Sequence, residues 1–221
     1  MGPDKDFLAP RRCMRAPIDE IFHASHLLDR AADAHLAGDY TIAEKLIRDA
    51  NMPDVRAWTE SLWGNAKANP DQWRYHRFRE VPDAPSMLSR EKRFPRRMPS
   101  MSESADIIAR YGRNCVFCGI PLISKRVRSI LKRYYPNALS WGLTNASQHA
   151  AFQCMWMQFD HVVPHSRGGD NSLENVIVTC APCNFGRMER TLEEVGLIDP
   201  RTLSFLATPW DGLERLLPVS V

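Results

Sequence analysis

A chain of 221 residues, a quarter of them charged, is long enough for one medium domain or for a small domain with a helical appendage. No apolar run approaches the ~20 residues needed to cross a bilayer, and the first residues lack the pattern of a secretory signal, so the expectation is a cytoplasmic protein with no membrane partner. The net charge of +3 hides an uneven distribution: residues 1–71 carry nine Lys and Arg against twelve Asp and Glu, whereas residues 88–135 carry twelve against three. A basic middle between acidic or neutral flanks predicts one face that attracts phosphate.

Residues 1–16 are rich in Pro, Arg and charge and show no apolar period. From Pro17 and Asp19 onward, Ile18, Ile21, Phe22, Leu27, Leu28, Ala31, Ala32 and Leu36 recur at helical spacing until Gly38. Residues Thr41 to Ala50 predict a second helix with Ile42, Ala43, Leu46 and Ile47 on its apolar face. The stretch 34–44 looks like one tetratricopeptide unit. One such unit cannot bury its own face. The pair is therefore expected to cap a core or to form a surface for a protein partner or a second copy. Pro53 opens a third short helix ending near Trp63.

Five prolines between residues 70 and 100 predict an extended connector. Trp73 to Arg79 and Arg90 to Arg97 interleave aromatic and guanidinium groups, either as a strip lying along phosphates or as a linker whose aromatics pack on the core. Residues Ser102 to Arg110 predict a helix capped by Ser102 or Ser100, with Glu103 and Asp106 in its first turns. A basic helix follows over Lys125 to Tyr135, then a helix over Ser147 to Met157, and Trp210 to Leu217 predicts a short C-terminal helix.

Four of the six cysteines fall in two C-x-x-C pairs, Cys115 with Cys118 and Cys180 with Cys183. In a reducing compartment such pairs point to metal, and four thiolates suit a closed tetrahedral Zn²⁺ site. Sixty-one residues separate the pairs, far beyond a compact zinc ribbon, so spacing alone leaves buried free cysteines as the alternative. Cys13 and Cys154 read as buried or free thiols.

The second pair closes a stretch that organises the chain. Phe159-Asp160-His161-Val162-Val163-Pro164 puts an Asp-His pair on a short apolar strand, Gly168-Gly169 follows as a turn, and a second strand runs from Asn175 into Cys180-Ala181-Pro182-Cys183-Asn184. Over about residues 113–196 this resembles the HNH endonuclease family. The resemblance implies an α+β fold, a ββα-metal core with a structural zinc knuckle, to which an N-terminal helical region is added. The expected organisation is a helical region over residues 1–64, a basic connector over 65–100 and a nuclease domain over 101–221.

The resemblance also implies roles. His161 would be the general base, Asp160 and Asn184 the ligands of one Mg²⁺ or Mn²⁺, and Asn175 the residue that ties the hairpin loop and orients the His161 backbone. Zn²⁺ on the four cysteines would be structural only. An amide oxygen with a carboxylate is a hard, weak donor set that favours Mg²⁺ or Mn²⁺. Arg187, Arg190, Arg167, Lys125 and Arg126 are the candidates for gripping DNA phosphates. The expected function is metal-dependent cleavage of DNA, with a catalytically silent zinc-stabilised binding module, or an effector nuclease gated by a partner, as alternatives.

Overall fold

The computed structural model describes residues 9–63, 78–204 and 208–218. The stretch from Trp73 to Arg77, part of the first aromatic and basic strip, lies outside the described residues.

Three helices open the chain: α1 (Asp19–Leu36), α2 (Tyr40–Asp49) and α3 (Pro53–Leu62). Asp19 and Glu20 lie in the first turn of α1, where the helix dipole favours acids. The stripe Ile21, Ala24, Leu27, Leu28, Ala31 and Ala32 is buried. Its alanines admit α2 closely, and α2 answers with Ala43, Leu46 and Ile47. Ile42, expected on that face, is 53% exposed beside Leu36 and Tyr40.

The arm is docked on the rest of the chain as a cap. Val55, Trp58 and Leu62 of α3 are buried, and the helix packs against α6 (Ala150–Cys154) and α7 (Ala181–Arg187). Asn51 Oδ1 accepts from Ala150 N at 2.7 Å, capping the start of α6 from another part of the chain. His149 Nε2 bonds Ile47 O at 2.7 Å, and burial lowers the His149 pKa to about 4, so this imidazole is a neutral structural tie. One continuous buried cluster runs from Met14 and Ile21 through Trp58 to Phe117, Phe152 and Val178.

The later elements are α4 (Met101–Tyr111), α5 (Lys125–Tyr134), α6, β1 (Met157–His161), β2 (Val176–Cys180) and α7. Ser100 and Glu103 form a reciprocal capping box at α4. The helix expected over 147–157 is reduced to the five residues of α6. Ile123 N bonds Met155 O at 2.8 Å and Met157 N bonds Ile123 O at 3.0 Å, which draws this backbone into extended pairing. The expected C-terminal helix is only a 3-10 turn at Glu214–Leu216, because Gly212 and Leu213 both have positive φ, 73° and 60°. Its apolar side docks as expected, with Leu213 and Leu216 buried. Among the described residues no helix is long and apolar enough to cross a membrane.

Candidate active site

β1 and β2 form a two-stranded antiparallel ladder in the register Met157↔Cys180 to His161↔Val176. One end delivers Cys180 into the second cysteine knuckle and α7, and the other carries Asp160 and His161.

At the first end the four Sγ atoms of Cys115, Cys118, Cys180 and Cys183 all lie within 4.8 Å of one another, with Cys118 and Cys180 3.6 Å apart. Tetrahedral Zn–S bonds of about 2.3 Å place sulfurs roughly 3.8 Å apart. Val116 N donates to Val178 O at 3.1 Å and Cys115 N to Ile120 O at 2.8 Å, which fastens the first knuckle beside β2 despite the long interval in sequence. Gly119 turns that knuckle with φ 77°. Burial pushes the Cys180 thiol up to about 12, and burial also opposes ionising Cys115, although hydrogen bonds from the other three thiols hold it low. Four thiolates packed here need a dication, and an all-sulfur set fits Zn²⁺ rather than a hard cation. Cys154 is buried in the core and burial raises its thiol well above the usual range; burial likewise raises half-buried Cys13 to about 11.

At the other end Asp160 and His161 project to opposite faces of β1, and both are buried. Asp160 is gripped by Arg187: Nε donates to Oδ2 at 3.1 Å and Nη2 to Oδ1. The same guanidinium donates to the carbonyls of His161, Val162 and Arg190, and Arg187 is 1% exposed. Burial raises the Asp160 pKa and the paired guanidinium opposes that rise. Arg187 is therefore corrected from an exposed phosphate contact to an interior tie between α7 and β1. Gly186 beside it lets α7 approach α3, since a Cβ there would lie 3.1 Å from Leu62 O.

His161 Nε2 lies 2.9 Å from Asn171 Oδ1. Burial lowers the His161 pKa; the Asn171 bond and the Asp160 charge oppose this, and His165 and Arg97 add to it. The His165 ring stands 5.7 Å from that of His161, with its own Nε2 2.8 Å from Phe94 O.

The loop between the strands is held by Asn175. Its Oδ1 accepts from Val163 N at 2.8 Å, and its Nδ2 donates to Asp170 O at 2.9 Å and Val163 O at 3.2 Å. Gly168 takes φ 95°, as expected of the turn. Gly169 needs no positive φ: it is required because a Cβ there would collide with the Val163 carbonyl and Asn175.

The connector over 78–100 is no free linker. Arg79 N donates to Glu194 O, Leu88 N to Ser166 O, and Asn171 Nδ2 to Arg96 O and Met98 O, so the segment straps the hairpin loop. Arg167 is held inside this strap: it pairs with Glu194 at 3.0 Å, both side chains 8% exposed, and donates to Pro85 O and Glu189 O. Its expected phosphate contact is corrected accordingly. Arg190 is partly exposed, 3.5 Å over the Phe78 ring and 3.7 Å from Glu194. Lys125 and Arg126 are exposed at the start of α5 and form no ion pair among the described residues, and Arg90, Lys92 and Arg97 are exposed on the strap.

Asn184 lies on α7, half-exposed, and its side chain makes no hydrogen bond among the described residues. Asp160 has both oxygens engaged by Arg187, and each carboxylate oxygen retains a second lone pair. Sequence reasoning missed Asn171 and the interior role of Arg187. It also missed Arg128, which is buried between Trp141 and Trp156 with its guanidinium 3.5 Å and 4.8 Å from their rings. Trp156 is the residue just before β1, so this sandwich braces α5 against the hairpin.

A two-stranded hairpin leading through a cysteine knuckle into a helix, with Asp-His ending the first strand, defines a ββα-metal unit. Residues 148–187 match the family model of the HNH endonuclease, so the chain carries an HNH domain. No curated protein and no solved structure matches the chain.

Proposed function

We propose that this chain is a metal-dependent endonuclease that hydrolyses phosphodiester bonds in DNA. The observation that supports this most is that Asp160 and His161 close β1 and Asn175 locks the loop at one end of the hairpin, with Asn184 on α7 just after the knuckle. His161 takes the proton of the attacking water, since a neutral imidazole is a competent base near neutral pH and burial favours the neutral form. Asp160 and Asn184 would hold Mg²⁺ or Mn²⁺, which when bound supplies charge stabilisation at the scissile phosphate and the leaving 3′ oxygen. Cleavage there leaves 5′-phosphate and 3′-hydroxyl ends. Arg187 orients the Asp160 carboxylate through its two parallel hydrogen bonds.

Arg90, Lys92 and Arg97 on the strap, with Lys125 and Arg126 on α5, are the exposed cations that would follow the DNA backbone, giving affinity that falls with salt. Zn²⁺ on the four cysteines would hold the two knuckles together and take no part in chemistry, because every position is filled by protein. A protein partner or a second copy would meet the helical arm at its exposed turn, where Leu36, Tyr40 and Ile42 stand out.

The test is incubation of supercoiled plasmid with the protein in Mg²⁺ or Mn²⁺, with EDTA as control. Conversion to the open circle is expected of a monomer with one site, and linear product of a symmetric dimer. Plasmid left intact in both metals would sink the proposal. A second reading, a zinc-stabilised nucleic-acid-binding module without cleavage, draws on one observation: Arg187 already neutralises Asp160. It predicts DNA retention without cleavage in the same experiment.

A further inference from the structure

We infer that Asn171 decides which nitrogen of His161 serves as the base, and that it does so by carrying the position of residues 96–98 to the imidazole. The inference rests on the reading of His161 as general base.

Asn171 is 3% exposed and every polar atom of its side chain is engaged. Its Nδ2 donates to Arg96 O at 2.7 Å and to Met98 O at 3.2 Å. Turned over, the amide would aim its oxygen at two carbonyl oxygens with no hydrogen between them. The amide orientation is thus set by the strap, and Oδ1 faces His161 Nε2 at 2.9 Å. An amide oxygen only accepts. Nε2 must therefore carry the hydrogen, and in the neutral ring Nδ1 keeps the lone pair.

The surroundings agree with this assignment. His161 Nδ1 has no hydrogen-bond partner among the described residues, which leaves its lone pair unengaged on a residue that is 6% exposed. The other ionisable groups that act on the ring are His165, whose ring stands 5.7 Å away, Arg97, and Asp160 on the opposite face of the strand. Asp160 is taken by Arg187 and His165 Nε2 by Phe94 O, so neither competes for His161 Nε2. The strap in turn is pinned at α4, where Arg96 pairs with Glu103 at 2.6 Å and Glu103 accepts from Ser100 N. A line of contacts thus runs from the start of α4 through a backbone carbonyl and one amide to the imidazole. Asn171 is a positioning residue, with no contact to substrate required.

The experiment is ¹⁵N–¹H correlation of the histidine rings in the zinc-loaded full chain, at a pH where His161 is neutral, for wild type, Asn171→Leu and Asn171→Asp. The His161→Ala variant assigns the signal. Wild type is expected to show the Nε2–H form. Asn171→Leu should show mixed tautomers and lose roughly 100-fold in kcat with KM little changed, as a misplaced catalytic group does. Asn171→Asp retains the acceptor towards Nε2 but turns a second oxygen on the Arg96 and Met98 carbonyls, so it should keep the Nε2–H signal while kcat stays below wild type because the tie to the strap is lost. An Nδ1–H signal in wild type, or an Asn171→Leu variant with the Nε2–H signal and full kcat, would overturn the inference. The wild-type spectrum needs no variant to fold and no cleavage. An Nε2–H signal in a protein that cuts no DNA would leave the tautomer assignment standing while removing the nuclease reading.

Discussion

The two ends of one five-residue ladder, roughly 14 Å apart at ~3.4 Å per residue, are built on opposite principles. At the Met157↔Cys180 end four soft donors converge on one point and leave no position open. At the His161↔Val176 end the polar groups diverge: Asp160 faces Arg187 and His161 faces Asn171. A closed site suits a metal that holds a fold, and an under-filled one suits a metal that must admit a phosphate and water. The hairpin lets the first anchor the second without sharing a ligand.

The largest expected effect lies at the closed end. Cys183→Ala, or chelation of the bound metal, should cost several kcal/mol, because binding energy at a structural zinc site is folding energy. Metal content by elemental analysis should fall from one zinc per chain to none, together with the thermal midpoint. Retention of the wild-type midpoint after complete chelation would break the contrast.

Next comes Arg187→Met, which leaves Asp160 buried without its partner and should destabilise by about 3–5 kcal/mol at neutral pH. Its pH dependence has a definite sign. Burial already raises the Asp160 pKa, and removing the guanidinium raises it further. A carboxyl with a raised folded pKa contributes stability at low pH that is lost as pH rises through the folded value. The gap between variant and wild type should therefore widen as pH rises past the raised folded value of wild-type Asp160, as urea titrations at several pH values would show. A constant gap would mean that Arg187 acts through packing alone.

Asn51→Ala removes the cap that α6 receives from the arm and should cost about 1 kcal/mol, read as a small shift in urea midpoint with unchanged cleavage. The smallest effect belongs to the exposed cations. Lys125→Ala or Arg126→Ala should leave stability unchanged and lower the slope of log K against log salt by about 1 each for DNA binding. An unchanged slope would remove α5 from the DNA track.

The cysteine cluster was legible from two C-x-x-C pairs set within the HNH resemblance, since their spacing alone left free thiols as an alternative. The three N-terminal helices were legible from apolar period, and the α4 cap from Ser100 and Glu103. What escaped has a common cause. Arg187 and Arg167 read as exposed charges because a guanidinium reveals its burial only through partners 27 residues away, Asp160 for one and Glu194 for the other. Asn171 sits in an Asp-Asn-Ser turn, where an asparagine needs no explanation beyond the turn itself. Its significance comes from carbonyls of Arg96 and Met98, more than 70 residues earlier. The connector has no period, since its contacts are made by backbone groups and not by a stripe of side chains. The helix over 147–157 was overestimated because an apolar run at short length fits strand and helix alike, and pairing with Ile123 decided it.

The central claim, that one end of the hairpin holds the fold and the other does the chemistry, is tested most directly on a single sample of His161→Ala. Zinc content, thermal midpoint and plasmid conversion in Mg²⁺ are measured together. The account predicts one zinc per chain, a midpoint close to wild type and a loss of cleavage of at least about 100-fold. A variant that cuts like wild type, or one that loses its zinc along with its activity, would contradict it.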